Sequence, residues 1–192
     1  LEVIVVDDCS TEMSYRDGLN WWKTNGMLPV RHVRMEKNVN FLKASNAGLQ
    51  RAKGEIVCLI SNDVRIHTDI VSHIDVMVSS TRKDLLVGGR YLDWNTGWNT
   101  FDGVTFPYLE GWLLATTKSG WEKLGYFDER YAPNDYEDID LSTTALSKGF
   151  ILSSLAESWT THIGAQSISY GSAREAITIR NKEKFREKWT KQ

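Results

Sequence analysis

Two cysteines, Cys9 and Cys58, are all that the 192-residue sequence contains. Both fall in or beside apolar stretches that read as strands, so they are expected as reduced, buried thiols and not as a disulfide. A surplus of one charge is also missing. The 23 basic and 25 acidic residues leave a net charge of -2, which gives no general attraction to nucleic acid or to an anionic membrane. No apolar run approaches the roughly 20 residues that span a bilayer, and no signal peptide precedes the first strand. The expected location is therefore cytoplasmic. No Gly-x-Gly-x-x-Gly follows a strand, which argues against a dinucleotide-dependent dehydrogenase. There is no initiator methionine either: Leu1 opens directly into an apolar strand, and the chain reads as a fragment. No repeat, low-complexity tract or linker interrupts it, so one domain over residues 1–192 is expected.

What is present is an alternation of strand and helix patterns, the mark of a sheet with crossover helices. The strand over 1–6 runs into Asp7-Asp8-Cys9-Ser10-Thr11, small polar residues suited to capping a helix over roughly 15–23. A short strand near 30–35 follows. Phe41, Leu42, Ala44, Leu49 and Ala52 recur at helical spacing, and Gly54 ends that helix. A strand over 55–60 reaches Ser61-Asn62-Asp63, and a helix from Thr68 or Asp69 carries Ile70, Val71, Ile74, Met77 and Val78 on one face. Residues 85–92 and 108–116 read as strands either side of an aromatic loop over 93–107. A helix near 119–124, one from Glu137 or Asp138 to Gly149, and a strand over 150–155 come next. Ser172-Ala173-Arg174-Glu175 is a capping box ahead of a final helix. Its run of Arg180, Lys182, Lys184, Arg186, Lys188 and Lys191 reads as a solvated face. The expected class is α/β: a three-layer sandwich with a mostly parallel central sheet flanked by helices.

Acidic residues concentrate at strand ends and at one helix start, where α/β sheets place their chemistry. Glu137, Asp138 and Asp140 crowd the head of a helix. The helix dipole favours them there, and their mutual repulsion raises their proton affinity. That suits a base taking a proton from a hydroxyl, although an acidic first turn chosen for the dipole alone looks the same. Asp63, beside Asn62, can hold a hard divalent cation such as manganese or magnesium, or simply turn the chain. His162, just past the last strand, is either a further ligand beside Asp63 or a packed histidine. Asp7 and Asp8 can accept from a nucleobase imide or a ribose hydroxyl, or cap a helix. Among Tyr91, Trp94, Trp98, Phe101, Phe106, Tyr108 and Trp112, most are read as packing, with Trp94 or Trp98 offered to a sugar ring. Glu110-Gly111-Trp112 is read as contacting an acceptor.

In order, these elements resemble the family 2 glycosyltransferases with the GT-A nucleotide-sugar-binding fold. Val3-Ile4-Val5-Val6-Asp7-Asp8-Cys9-Ser10 resembles the family's strand with Asp-Asp-x-Ser. The stretch from Asn38-Val39-Asn40-Phe41 through Asn46-Ala47-Gly48 to Ala52-Lys53-Gly54-Glu55 is similar to its Asn-x-Gly-Phe…Asn-x-Gly…Ala-x-Gly-Glu. Ser61-Asn62-Asp63 stands in the place of its metal-binding D-x-D. Gly125-Tyr126-Phe127-Asp128-Glu129, Glu137-Asp138-Ile139-Asp140-Leu141 and Asn181…Phe185…Lys188-Trp189 resemble later family elements. The resemblance implies that Asp8, with Asp7, contacts the nucleoside, and that Asn38, Lys43, Asn46 and Asn62 lie on the nucleotide side. It implies Asp63 and His162 as ligands of a divalent cation, Asp138 as base, and Glu137 beside a sugar. The implied reaction is an inverting transfer from a nucleotide-sugar donor to a glycan or other hydroxyl acceptor. The sequence departs from the pattern at Ser61 and Asn62, at Asn40 in place of glycine, and at Ser142-Thr143-Thr144 in place of an arginine. The family's first strand and helix would precede Leu1. Weak donor binding, or a sheet edge completed by a second copy, is therefore expected. The rival readings are a non-catalytic nucleotide- or glycan-binding module and a nucleotidyltransferase, whose basic glycine-rich loop is not seen.

Overall fold

The computed structural model describes residues 1–11, 13–26, 28–81, 84–164 and 172–190. Strand β1 (Val3–Asp7) pairs in parallel with β2 (Val30–Arg34), and helix α1 (Met13–Asn25) connects them. Helix α2 (Phe41–Arg51) follows, its N-terminus capped by Asn40, whose side chain accepts from the Lys43 N–H. Its buried side chains Leu42, Ala44, Ser45, Asn46 and Leu49 keep the spacing that the apolar pattern predicts. Helix α2 packs on both β1 and β3 (Ile56–Ile60).

Strand β4 (Val64–Ile66) comes straight after the Ser61–Asp63 turn, and helix α3 (Ile70–Ser80) is capped by Asp69. The chain then enters β5 (Leu85–Gly88) and an excursion of short strands: β6 (Tyr91–Leu92), β7 (Thr100–Phe101), β8 (Val104–Thr105) and β9 (Tyr108–Leu109). It returns in β10 (Leu113–Thr117), helix α4 (Lys118–Leu124), helix α5 (Glu137–Ser147), β11 (Ile151–Ser154), β12 (Thr160–His162) and helix α6 (Ser172–Trp189).

The four-stranded sheet has the order β11-β5-β10-β3. Only β11 and β5 run parallel, because β10 is antiparallel to both of its neighbours. The class is α/β, as the alternation of elements indicates, but the sheet is mixed where a mostly parallel one was expected. The cause lies in residues 89–112. The expected strands 85–92 and 108–116 each break in two, and β6 and β9 pair with each other outside the main sheet. A Cβ on Gly88 would come within 2.8 Å of Leu109 Cβ, so glycine there lets the β9 side chain pack against the end of β5. The excursion then brings the chain back in the reverse direction as β10.

Period-two alternation sends neighbouring residues to opposite faces of this sheet. Leu86 and Leu114 pack into a cluster with Leu42, Trp121, Ile139 and Phe185, from α2, α4, α5 and α6. Leu85, Val87, Leu113 and Ala115 face Ile70, Ile74 and Val78 of α3. Three layers result, and each fully buried leucine contributes about 2 kcal/mol. Among the described residues no helix is long and apolar enough to cross a membrane.

The final helix departs from the solvated face expected of it. Lys188 binds Asp140 at 2.8 Å, Arg174 binds Asp135 at 3.2 Å, and Arg180 and Lys184 donate to the carbonyls of Ala132 and Arg130. Phe185 and Asn181 are fully buried. The basic run is therefore largely a set of cross-links onto residues 128–140. The capping-box reading at Ser172 falls on a side chain outside the described residues.

Candidate active site

Pairing between β4 and β12 sets His162 opposite Val64, one residue beyond Asp63. The Ile163 N–H donates to the Asp63 carbonyl at 3.0 Å, which continues the ladder past the strand ends. The two side chains meet, with His162 Nε2 3.3 Å from Asp63 Oδ1, and both keep partial access to solvent. Residues separated by a hundred positions in the chain thus form a carboxylate–imidazole pair at the end of β3. Asn62 is exposed in the adjoining turn. Among the described residues, no group of three or more His, Cys, Asp or Glu is arranged to hold a metal.

Trp112 lies beside this pair, its indole stacked on the His162 ring at 5.1 Å between centroids and 18° between planes. Its Nε1 donates to Glu110 Oε2 at 2.9 Å, and Glu110 pairs with Arg90 at 3.8 Å. Trp112 is buried, with 9% exposure, and its ring packs on His162. Glu110 remains partly exposed next to it.

Gly111, the residue between them, reaches the other carboxylate group. Its N–H donates to Asp138 Oδ2 at 3.2 Å, while the Ile139 N–H donates to Asp138 Oδ1 at 2.8 Å. Asp138 opens helix α5, where the dipole favours negative charge. Burial nevertheless outweighs these hydrogen bonds and pushes its carboxyl up to about 6. Glu137 is raised well above the usual range, first by burial and then by the charge of Asp138. Its Oε2 is buried and has no hydrogen-bond partner among the described residues. Two left-handed non-glycine residues, Asp135 and Tyr136, lead into this helix with φ of 72° and 73°. Such backbone strain is concentrated where a surrounding structure over-determines it. Asp140 stands apart from its two neighbours: Tyr131 Oη, Trp189 Nε1 and Lys188 Nζ all donate to it, so it is a structural anchor.

The residues read as the nucleotide side gather where β1 ends and α2 begins. Asp7 is buried and accepts from the Ser10 N–H at 2.7 Å and from Arg34. Burial alone would raise its carboxyl, but Ser10 and Arg34 outweigh it and hold the group low. Asp8 accepts from the Val39 and Asn40 N–H groups at 2.6 and 2.9 Å, tying the end of β1 to the start of α2. Asn38 donates from Nδ2 to the Asp8 carbonyl, and Lys43 is exposed. Asn46 does not join them. It is buried, its Nδ2 donating to the Phe127 carbonyl and its Oδ1 accepting from the Phe127 N–H, so its amide is committed within the protein. A carboxylate oxygen has lone pairs to spare after one such bond, whereas a fully engaged amide does not.

Trp94 and Trp98 are exposed by 52% and 51%, while Phe101 and Tyr108 are buried. The Tyr136 hydroxyl donates to the Trp98 carbonyl at 3.1 Å, anchoring this loop to the residue ahead of Glu137. Burial, and then the charge of Asp138, push the Tyr108 phenol up to about 12. The sequence reading missed Asn99, which is fully buried and bonds the Trp94 and Phe106 carbonyls and the Thr96 N–H and hydroxyl. It missed Arg90 and Gly89 too. A lone asparagine in a polar loop carries no pattern, though Gly88-Gly89 after an apolar run was a visible breaker.

A mixed sheet with helices on both faces, carrying strand-end acids and an acidic helix start, fits the GT-A fold that the sequence resembles. Solved structures agree. The mannosyltransferase PcManGT from Pyrobaculum calidifontis, solved with GDP-Man and Mn2+, is 21% identical with a TM-score of 0.65 over 87% of this chain and 49% of its own. GalNAc-T7, solved with UDP, GalNAc and Mn2+, is 17% identical with a TM-score of 0.71 over 98% of this chain and 42% of its own. S. aureus TarS 1-349, solved with UDP-GlcNAc, is 17% identical with a TM-score of 0.63 over 94% of this chain and 55% of its own. The chain spans about half the length of these structures. Within the class, the Glycosyl transferase family 2 profile matches residues 1–132, and the chain belongs to that family. No curated protein matches it.

Proposed function

We propose that the chain performs an inverting transfer of a sugar from a nucleoside-diphosphate sugar to a hydroxyl of a glycan or other acceptor. The observation that carries this reading is the Glu110–Trp112 segment, which joins a carboxylate of raised proton affinity to a carboxylate–imidazole pair. Gly111 holds Asp138, and Trp112 holds His162.

Asp138 serves as the base. With a pKa of about 6 it is mostly ionised at pH 7 and still basic enough to take a proton in the transition state. It accepts the proton of the acceptor hydroxyl as that oxygen attacks the anomeric carbon, opposite the departing diphosphate. Glu137, whose proton affinity burial raises, lies beside a sugar. Asp63 and His162 hold a divalent cation, manganese or magnesium. Their oxygen and nitrogen donors fit such a cation, and so does their low number, since these ions complete their shells with phosphate oxygens and water. When bound, the cation stabilises the charge that builds on the leaving diphosphate. Asp7, Asp8 and Asn38 line the nucleoside, Lys43 offers a cation to the phosphates, and Asn62 borders them. Trp94 and Trp98 present faces to an acceptor sugar ring, and Glu110 accepts from one of its hydroxyls. A cytoplasmic setting is part of this reading, because nucleotide sugars are supplied there. The complexes of the solved neighbours with GDP-Man or UDP and Mn2+ support it.

Calorimetric titration of UDP and GDP, with and without Mn2+, tests the donor site. Manganese-dependent binding of one nucleotide, lost in Asp63→Ala, is expected. Failure of both nucleotides to bind in either condition would sink the proposal.

A further inference from the structure

A histidine at the end of a short strand has two free side-chain torsions, and a ligand histidine needs its ring fixed. The partner is ordinarily a hydrogen bond to the ring nitrogen that does not ligate. Among the described residues His162 has no such bond to Nδ1, and the stacked indole of Trp112 sets the plane of its ring. Trp112 is in turn held at three points. Its Nε1 is bound by Glu110, and the Trp112 carbonyl accepts from the Ser61 N–H at 2.8 Å, at the root of the turn that bears Asp63. The third point is Gly89, on which a Cβ would fall 1.9 Å from Cη2, 2.2 Å from Cζ3 and 2.5 Å from Cζ2 of the ring. The φ of Gly89 lies outside the left-handed region. What the position requires of glycine is space for the indole, not backbone freedom.

We propose that Trp112 is the positioning residue of the cation seat. Its indole, admitted by Gly89, holds the His162 imidazole with Nε2 toward Asp63, so that both ligands are set before the cation arrives. The inference rests on Asp63 and His162 being that seat. It gives Trp112 a role in metal affinity instead of acceptor recognition, and it makes Gly89 the residue that determines whether the seat is preset.

The test is Mn2+ binding to the whole chain in the presence of UDP or GDP, read from the electron paramagnetic resonance of free Mn2+. Gly89→Ala and Trp112→Leu are each expected to weaken binding about 10- to 100-fold, the range for residues that orient metal ligands. Phenylalanine lacks the outer indole atoms that the new methyl would strike. Gly89→Ala placed in a Trp112→Phe background should therefore cost less than threefold relative to Trp112→Phe alone, a non-additivity that general destabilisation does not produce. Without metal, the His162 ring protons should lose their upfield ring-current shift in Trp112→Leu. If that variant fails to melt cooperatively, the Gly89→Ala and Trp112→Phe cycle decides. Gly89→Ala binding Mn2+ within twofold of wild type would overturn the proposal while leaving the cation seat intact. Wild type that binds no Mn2+ with either nucleotide, like Asp63→Ala, would overturn the seat itself.

Discussion

Asp138 and Glu137 are neighbours in the chain with the same chemistry, and burial raises the proton affinity of both. Asp138 has two backbone N–H donors that favour its ionised form, while one oxygen of Glu137 is buried without a partner. Turnover should fall as pH drops through about 6, when Asp138 takes up a proton and stops acting as a base. Asp138→Asn should lower kcat by at least about 100-fold, the usual scale for losing a general base, in a protein that still melts cooperatively. A pH–rate profile without an acidic limb near 6 would remove Asp138 from that role. Asn40 is another residue whose conformation has consequences. It adopts φ 75° and ψ 167°, a region that glycine occupies freely and other residues at a cost of about 1–3 kcal/mol. The glycine expected there on family grounds thus has a backbone reason. Asn40 offsets part of the strain with its hydrogen bond to the Lys43 N–H.

Helix α6 shows how an element acts at a distance from the chemistry. The Asn181 amide donates to the carbonyls of Tyr131, Asn134 and Asp135 at 2.6, 2.7 and 3.0 Å, all in the segment that leads into Glu137. Thr178 and Arg174 bind the Asp135 carboxylate from the same helix. Asn181→Ala should destabilise the fold by about 2–4 kcal/mol, because buried carbonyls lose their donor. It should also lower kcat, since the left-handed entry at Asp135 and Tyr136 loses its brace. Urea melts together with kinetics of the folded fraction check both effects, and a variant with wild-type stability would contradict the bracing role. Little of this was legible beforehand. A run of lysines and arginines has the same composition whether it faces water or a carbonyl-rich loop, and only the loop's position distinguishes the two.

At the scale of the whole molecule, two sets of carboxylates act on stability in opposite directions. Asp128 is held down to about 2, mainly by Arg130, so its contribution to stability is present above pH 4 and lost as pH falls through about 2. Asp138 is raised to about 6, so its contribution is present below pH 4 and lost as pH rises through about 6, to an extent of about 3 kcal/mol. Glu137 acts in the same direction as Asp138. Stability should therefore peak near pH 4, and Glu137→Gln should raise the melting temperature at pH 7–8 with little effect near pH 4. Thermal melts across pH check this, and a variant equally stabilised at both ends would contradict it. A fold carrying such a liability at neutral pH is consistent with carboxylates kept for chemistry.

The alternation of apolar strands and helical faces was readable from the residues alone, as were the strand-end acids, the acidic start of α5 and the candidacy of His162. These depend on spacing and side-chain type, which survive in any context. Direction and proximity do not. The reversal of β10, the meeting of His162 with Asp63 and the seating of Trp112 on Gly89 all come from pairings between distant segments. Local pattern carries no record of which strand lies beside which. Asn46 and Trp112 make the same point from opposite directions. Each was read as a ligand contact, and in the fold each side chain is engaged by partners that the sequence does not show.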